Sequence, residues 1–72
     1  MEKIISAHIT GTVWKILVKE GDSVNLGDVL IIFESMKMEI PLECEYQGTI
    51  LKILVAEETP VIEGQKVIVI QT

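Results

Sequence analysis

Short runs of aliphatic and β-branched residues follow one another along the whole chain, separated by glycine, aspartate, asparagine or proline. No stretch repeats its apolar positions at the spacing of an amphipathic helix. Runs of about four to eight such residues, bounded by turn-forming residues, are typical of β-strands. The pattern predicts strands over residues 3–9, 11–18, 23–25, 29–35, 38–45, 48–55, 60–62 and 66–71.

Strict alternation of apolar and polar residues is clearest in the strand 38–45. Its apolar positions are Met38, Ile40, Leu42 and Cys44, and the intervening positions are Glu39, Pro41, Glu43 and Glu45. Alternation of this kind predicts a strand with one face in the core and one face in solvent. Cys44 is the only cysteine, so an intramolecular disulfide is impossible, and its position predicts a buried core residue.

The second half of the chain repeats the first with an offset of 37 residues. The segment 11–18 reads GTVWKILV and the segment 48–55 reads GTILKILV. Glycines recur at the same places in both halves, at positions 11, 27, 48 and 64, where tight turns are expected. The repeat predicts one all-β domain over residues 1–72, a flattened barrel or sandwich of two four-stranded antiparallel sheets with quasi-twofold symmetry.

Only Met36 and Lys37 separate the strands 29–35 and 38–45. A two-residue hairpin loop of type I′ requires positive φ at both positions, which normally selects Asn-Gly or Asp-Gly. Met-Lys is unusual there, so we expect a strained turn with an exposed amine at its tip. Such a lysine is a candidate for covalent modification.

The run Ser35-Met36-Lys37-Met38-Glu39 resembles the attachment motif of the biotinyl domains of biotin-dependent carboxylases. The resemblance covers nearly the whole chain, because a lysine between two like half-domains matches the biotinyl/lipoyl fold, a barrel-sandwich hybrid. It implies that Lys37 carries biotin through an amide bond. It also implies a carrier with no catalytic residues of its own, serving a biotin carboxylase and a carboxyltransferase.

The residues around the lysine have roles that follow from this resemblance. Met36 and Met38 are the flanking residues of the motif, and Glu34, Ser35 and Glu39 are expected to help a biotin protein ligase recognise it. Lipoyl domains of the same fold typically have Asp before the lysine. A lipoyl carrier, with lipoate as cofactor, is therefore the nearest alternative, and an unmodified β-barrel adaptor is another.

Composition narrows the partners further. A formal net charge of −5 argues against nucleic acid, whose phosphates it would repel. No apolar stretch approaches the length of a membrane span, and we expect a cytoplasmic monomer. His8 has no partner at the spacing of a metal site or a catalytic triad, and no metal is expected. Trp14 aligns with Leu51 in the repeat and is expected to pack in or beside the core.

Overall fold

All 72 residues are described by the computed structural model, and every regular element is a β-strand. The strands are β1 (Glu2–Ser6), β2 (Gly11–Ile16), β3 (Ser23–Val24), β4 (Val29–Ser35), β5 (Met38–Glu43), β6 (Gly48–Ile53), β7 (Pro60–Val61) and β8 (Lys66–Gln71). The bounds of β4 and β8 are those expected from the sequence. The other strands are shorter at their carboxyl ends, by up to three residues in β1. None of the elements is a helix that could cross a membrane.

The strands form two four-stranded antiparallel sheets, with the orders β1-β8-β6-β3 and β5-β4-β2-β7. The offset of 37 residues turns β1 into β5, β4 into β8, β2 into β6 and β3 into β7. Applied to one sheet order, this exchange yields the other. The predicted all-β architecture and its quasi-twofold symmetry are both confirmed.

The symmetry extends to the register of individual residues. Lys3 pairs with Ile70 in one sheet, and Ile40 pairs with Phe33, the residues 37 positions away, in the other. Both sheets also contain a β-bulge at the same place, at Trp14 in β2 and in the equivalent position of β6. The repeat in the sequence therefore encodes the irregularities of the sheets as well as their strands.

A single core of 14 buried residues, all hydrophobic, lies between the sheets. Its largest fully buried side chains are Phe33, Leu30, Ile31, Ile50, Ile68 and Ile70. Cys44 belongs to this core with 2% of its surface exposed, which confirms its predicted place. Its Sγ atom donates a hydrogen bond to the carbonyl oxygen of Tyr46 at 2.9 Å.

Trp14 is not a core residue, so that prediction was wrong. The side chain is 38% exposed, although its neighbour Val13 is fully buried. The reason is strand alternation, because Trp14 follows the inward-facing Val13 and therefore points to the outer face. The bulge between Val13 and Lys15 then shifts the alternation by one residue, so that Ile16, three residues after Val13, packs against the core.

The glycines of the repeat have two different functions. Gly27 and Gly64 have φ angles of 91° and 90°, the left-handed conformation expected of turn glycines. Gly11 and Gly48 begin strands instead. A Cβ atom at Gly11 would lie 2.5 Å from the carbonyl oxygen of Glu34, and one at Gly48 would clash with the carbonyl of Gln71. Their missing side chains permit close approach of two strands, and the expectation of a turn was wrong for this pair.

The turn before β7 also differs from expectation. Its Glu58 replaces Gly21 of the first half, and the loss of glycine predicts a different turn, with Pro60 fixing its conformation. The structure shows the same turn in both halves. Glu58 adopts a φ of 66° where Gly21 has 95°, and each donates its backbone N–H to the equivalent carbonyl of β2 or β6.

Candidate attachment site

The hairpin between β4 and β5 has the strained tip that its sequence predicts. Met36 and Lys37 have φ angles of 52° and 64°, and the pair Ser35–Met38 closes the loop beneath them. Both positive angles agree with a type I′ turn. For residues other than glycine this conformation costs about 1–2 kcal/mol each. Strained backbone of this kind is concentrated at functional sites.

The tip is open to solvent. Met36 is 92% exposed, Met38 is 61% exposed, and Lys37 is exposed between them. No side-chain hydrogen bond in the structure involves the Lys37 amine. A bulky partner therefore has unobstructed access to the amine.

The stem of the hairpin is fixed to the core. Phe33, two residues before Ser35, is fully buried and pairs with the half-buried Ile40 across the hairpin. On its other side β4 pairs with β2, where the absence of a side chain at Gly11 allows the close approach to Glu34 described above. A rigid stem under an exposed tip holds the lysine at a constant place on the surface.

Two carboxylates lie opposite each other just below the tip. Glu34 pairs directly with Glu39 on β5 and with Thr12 on β2, and both glutamates are exposed. By strand alternation they point to the outer face of the sheet, away from the side on which Phe33 lies. The half-buried Ser35 and the exposed Met38 occupy the next pair toward the tip. All six predicted site residues are thus contiguous on one hairpin.

The quasi-twofold axis relates this hairpin to the chain ends, which pair without a loop. The N–H of Thr72 donates to the carbonyl of Met1 at 2.8 Å, and the amino group of Met1 donates to the carbonyl of Thr72 at 2.9 Å. Met1 and Thr72 correspond to Met38 and Ser35 after the offset of 37. The positions equivalent to Met36 and Lys37 would follow Thr72, so the 72 residues contain one lysine-bearing tip.

The exposure of Trp14 on this sheet was not predicted from the sequence. The exposed side of Trp14 lies on the same sheet as the hairpin, at the bulge in β2. A signal was available: Val13 and Ile16, both inward-facing candidates, are three residues apart, whereas a regular strand would separate them by two or four.

His8 is exposed, at 5.9 Å between ring centroids from Phe33. It lines a shallow polar depression with Ser6, Glu43 and Glu45, on the seam between β1 and β5. No three side chains of the metal-binding types are arranged to hold an ion, in that depression or elsewhere.

Comparisons with known proteins give matches over nearly the whole chain. The family described as "Biotin-requiring enzyme" matches residues 3–70. The "Biotinylated protein TB7.3 homolog" of Mycobacterium leprae is 37% identical over 70 residues, which are 97% of this chain and 99% of that protein. The pyruvate carboxylase of Bacillus subtilis is 39% identical over 67 residues, which are 93% of this chain and 6% of the carboxylase.

A solved structure shows the same fold within a much larger protein. The urea carboxylase of Kluyveromyces lactis superposes with a TM-score of 0.91 and 34% sequence identity, over 99% of this chain and 6% of the carboxylase. The chain is therefore similar in length to one small biotinylated protein, and it spans only a small part of the two carboxylases.

Proposed function

The chain belongs to the family of biotin-requiring enzymes, and from this premise we propose that it is a biotin carboxyl carrier modified on Lys37. The observation that carries the proposal is the exposed Lys37 amine on a strained two-residue turn, between two methionines and between two like half-domains. Through an amide bond to the Lys37 Nζ atom, biotin would be held at the end of a long, flexible side chain.

The residues present fit this group. Amide formation requires a primary amine with free space around it, and Lys37 provides both. The ligase has to bring an activated acyl group to this amine and take up the proton that is released when the amide forms. When bound, biotin supplies a ureido nitrogen that accepts and releases a carboxyl group. The contribution of this chain is to present the lysine and to keep the tip at a defined position.

The partners of such a carrier are a biotin protein ligase, a biotin carboxylase and a carboxyltransferase. Two relatives are themselves carboxylases, which supports carboxylase partners. Tethering keeps the carried group at roughly millimolar effective concentration near each active site, without a free intermediate. A monomer in the cytoplasm stays a prediction.

A lipoyl carrier is not favoured. Met36 stands where lipoyl domains typically have Asp, and the small relative above is named as biotinylated. If the chain were an unmodified adaptor, the strained backbone at Met36 and Lys37 would have no functional explanation.

Intact-mass measurement tests the modification. The chain is produced with biotin, lipoate and the ligases for both, and the modified residue is located by peptide mapping. We expect one biotinyl increment, lost in Lys37→Arg and retained in Lys52→Arg, which changes an exposed strand lysine. A lipoyl increment, or an unmodified Lys37 in the presence of competent ligases, would refute the proposal.

We also propose that Glu34, Met36, Met38 and Glu39, with Ser35 behind them, form the surface that the ligase reads. Glu34→Lys and Met36→Ala should each slow biotinylation by about tenfold while the domain stays folded. Gln71→Lys is the matched control for Glu34→Lys, because Gln71 occupies the equivalent position in the other half. Equal ligation rates for Glu34→Lys and Gln71→Lys would contradict the assignment.

A further inference from the structure

Trp14 is the only tryptophan of the chain, and more than a third of its surface is exposed. Because Val13 beside it is fully buried, the indole lies on the outer face of the sheet β5-β4-β2-β7. This is the sheet that ends in the Lys37 hairpin. Nothing in the proposed carrier function so far requires an exposed indole at that place.

The outer face near Trp14 is apolar. Ile32 pairs with Lys15 on one side and with Pro41 on the other, so these three residues form one row across β2, β4 and β5. Pro41 is exposed and Ile32 is half-buried. Lys15 ends this row on the β2 side, and its ammonium lies 5.6 Å from the centre of the indole ring. We refer to Trp14, Ile32 and Pro41 as the Trp14 patch.

A second row, Glu39, Glu34 and Thr12, lies between this patch and the tip. The outer face therefore changes from polar to apolar with distance from Lys37. Two exposed carboxylates and a hydroxyl are acceptors for N–H donors, and the patch beyond them offers apolar and aromatic surface. A tethered ligand with an N–H donor within its chain and a ring system at its end would match this order.

The distance from the tip matches the length of a biotinylated lysine. Ile32 precedes Met36 by four residues, which is about 13 Å at the rise of a strand. Eleven single or amide bonds connect the lysine Cα atom to the ring system of biotin, and at about 1.25 Å of extension per bond they span roughly 14 Å. The biotinylated Lys37 side chain can therefore place the biotin rings over the patch without any movement of the backbone.

We propose that the Trp14 patch is a resting site for the ring system of biotin attached to Lys37. The inference depends on the proposed function, because it requires biotin on that lysine. The contact need not be strong. At the roughly millimolar effective concentration of a tethered group, a site with a millimolar dissociation constant is occupied about half of the time. Such a site holds the group against the domain between visits to partner enzymes and still releases it readily.

The quasi-twofold symmetry provides a matched control surface. Leu51 has the place of Trp14 in the other sheet, beside Lys52, with the same bulge in β6. The equivalents of Ile32 and Pro41 are Val69 and Ile4. That surface lies on the other sheet, away from the Lys37 hairpin. A tryptophan at position 51 has the same local backbone, but it lies beyond the reach of the biotinylated Lys37 side chain.

The experiment compares tryptophan fluorescence in the unmodified and biotinylated domain, with loading established by intact mass. We expect biotinylation to lower the acrylamide quenching constant of Trp14 by about a third to a half. In the double variant Trp14→Leu/Leu51→Trp, biotinylation should leave the quenching constant unchanged. Free biotin at the protein concentration should have no effect on either protein, because the contact depends on the tether.

Nuclear Overhauser contacts between the indole protons and the biotin rings in the biotinylated wild-type domain give a second readout, which does not depend on the folding of the double variant. Unchanged quenching together with absent contacts, in a domain shown by mass to carry biotin, would overturn the resting site and leave the carrier function intact. An absent biotinyl increment would instead refute the carrier function itself. An equal fluorescence change in the double variant would also overturn the resting site, because the response would then be independent of position.

Discussion

Glu34 and Glu39 face each other across the hairpin that presents Lys37, as a directly opposed pair on β4 and β5. The Cβ atoms of such pairs lie about 4.5–5.5 Å apart, and like charges at this separation destabilise a sheet. Glu39→Gln should therefore raise the free energy of unfolding by about 0.2–0.5 kcal/mol at low salt. The gain should shrink as salt screens the repulsion, and urea denaturation at two ionic strengths measures both effects.

The control for this substitution is Glu2→Gln. Glu2 has the place of Glu39 in the other half, but it pairs with the neutral Gln71. No like charge is removed there, so stability should not increase. If Glu2→Gln stabilises the domain as much as Glu39→Gln does, the cause is the lower net charge of the chain, and the local repulsion is refuted. A stabilising effect confined to Glu39→Gln would show that the opposed carboxylates beside Lys37 are kept at a cost in stability.

Glu58 is a second position where the chain departs from the locally most stable residue. Its φ of 66° is unfavourable for a glutamate by about 1–2 kcal/mol, whereas Gly21 has the equivalent conformation at little cost. Glu58→Gly should stabilise the domain by up to about 1 kcal/mol, because the relief of strain exceeds the roughly 0.4–1 kcal/mol cost of a more flexible unfolded chain.

Thermal and urea unfolding of two further variants test this reasoning. Gly21→Ala should destabilise the domain by up to about 1 kcal/mol, since it introduces the strain that Glu58→Gly removes, partly offset by a less flexible unfolded chain. Glu63→Gly, in an exposed turn without positive φ, should lose about 0.5 kcal/mol. A loss of stability in Glu58→Gly as large as that in Glu63→Gly would show that the backbone at Glu58 is unstrained.

The sequence predicted most of the fold because its strongest signals are local. Alternation placed Ile40 and Leu42 of β5 on the core side, although it did not predict the exposure of Met38 at the tip. The repeat required two like sheets. The two-residue gap at Met36 and Lys37 predicted the turn with both φ angles positive. These features depend on residues close together in the chain, or on an offset that is visible in the sequence itself.

The features that were missed depend on contacts between distant segments. The Glu57 carboxylate accepts a hydrogen bond from the backbone N–H of Ile16 at 2.9 Å, and Glu20 accepts one from Ile53 at 3.2 Å. Each half thus supplies an acceptor for a strand of the other half. Pairing of this kind follows from the assembled sheets, and no local pattern specifies it.

Oxidation of the tip should block loading with biotin. Hydrogen peroxide converts a methionine thioether into a sulfoxide and is itself reduced to water, and exposed methionines react first. Met36, at 92% exposure, should be oxidised at least as fast as Met38, at 61%. A polar sulfoxide at either position opposes burial against the ligase, so the biotinylation rate should fall by about tenfold or more.

Met1 provides the internal control, because it is 76% exposed and occupies the place of Met38 in the other half. In the variant Met36→Leu/Met38→Leu, peroxide still oxidises Met1. We expect the treated variant to be biotinylated as fast as the same variant without peroxide. Peptide mapping gives the oxidised positions, and a methionine sulfoxide reductase with a dithiol should restore the rate in the wild-type chain. Full ligation of a chain with sulfoxide at both Met36 and Met38 would refute the prediction.

The paired chain ends make it possible to test whether the ligase recognises the hairpin tip alone or also the surface around it. A circular permutant would run from Met38 to Thr72, continue through an inserted Met-Lys, and end with residues 1–35. The register of β8 with β1 equals that of β4 with β5, so the insertion recreates the two-residue turn, in the sequence Gln-Thr-Met-Lys-Met-Glu. All eight strands keep their partners, and we expect the permutant to fold.

If the ligase reads the tip alone, the inserted lysine should be biotinylated, more slowly than Lys37 because Gln71 replaces Glu34. Gln71→Glu in the permutant should then raise the rate toward that of the wild-type chain, and intact mass over a time course measures it. A folded permutant that stays unmodified even with Gln71→Glu would show that the ligase requires surface of the β5-β4-β2-β7 sheet beyond the hairpin. The backbone around the inserted lysine is the same as that around Lys37, and only the side chains differ. This outcome would therefore show that the ligase recognises side chains that surround Lys37.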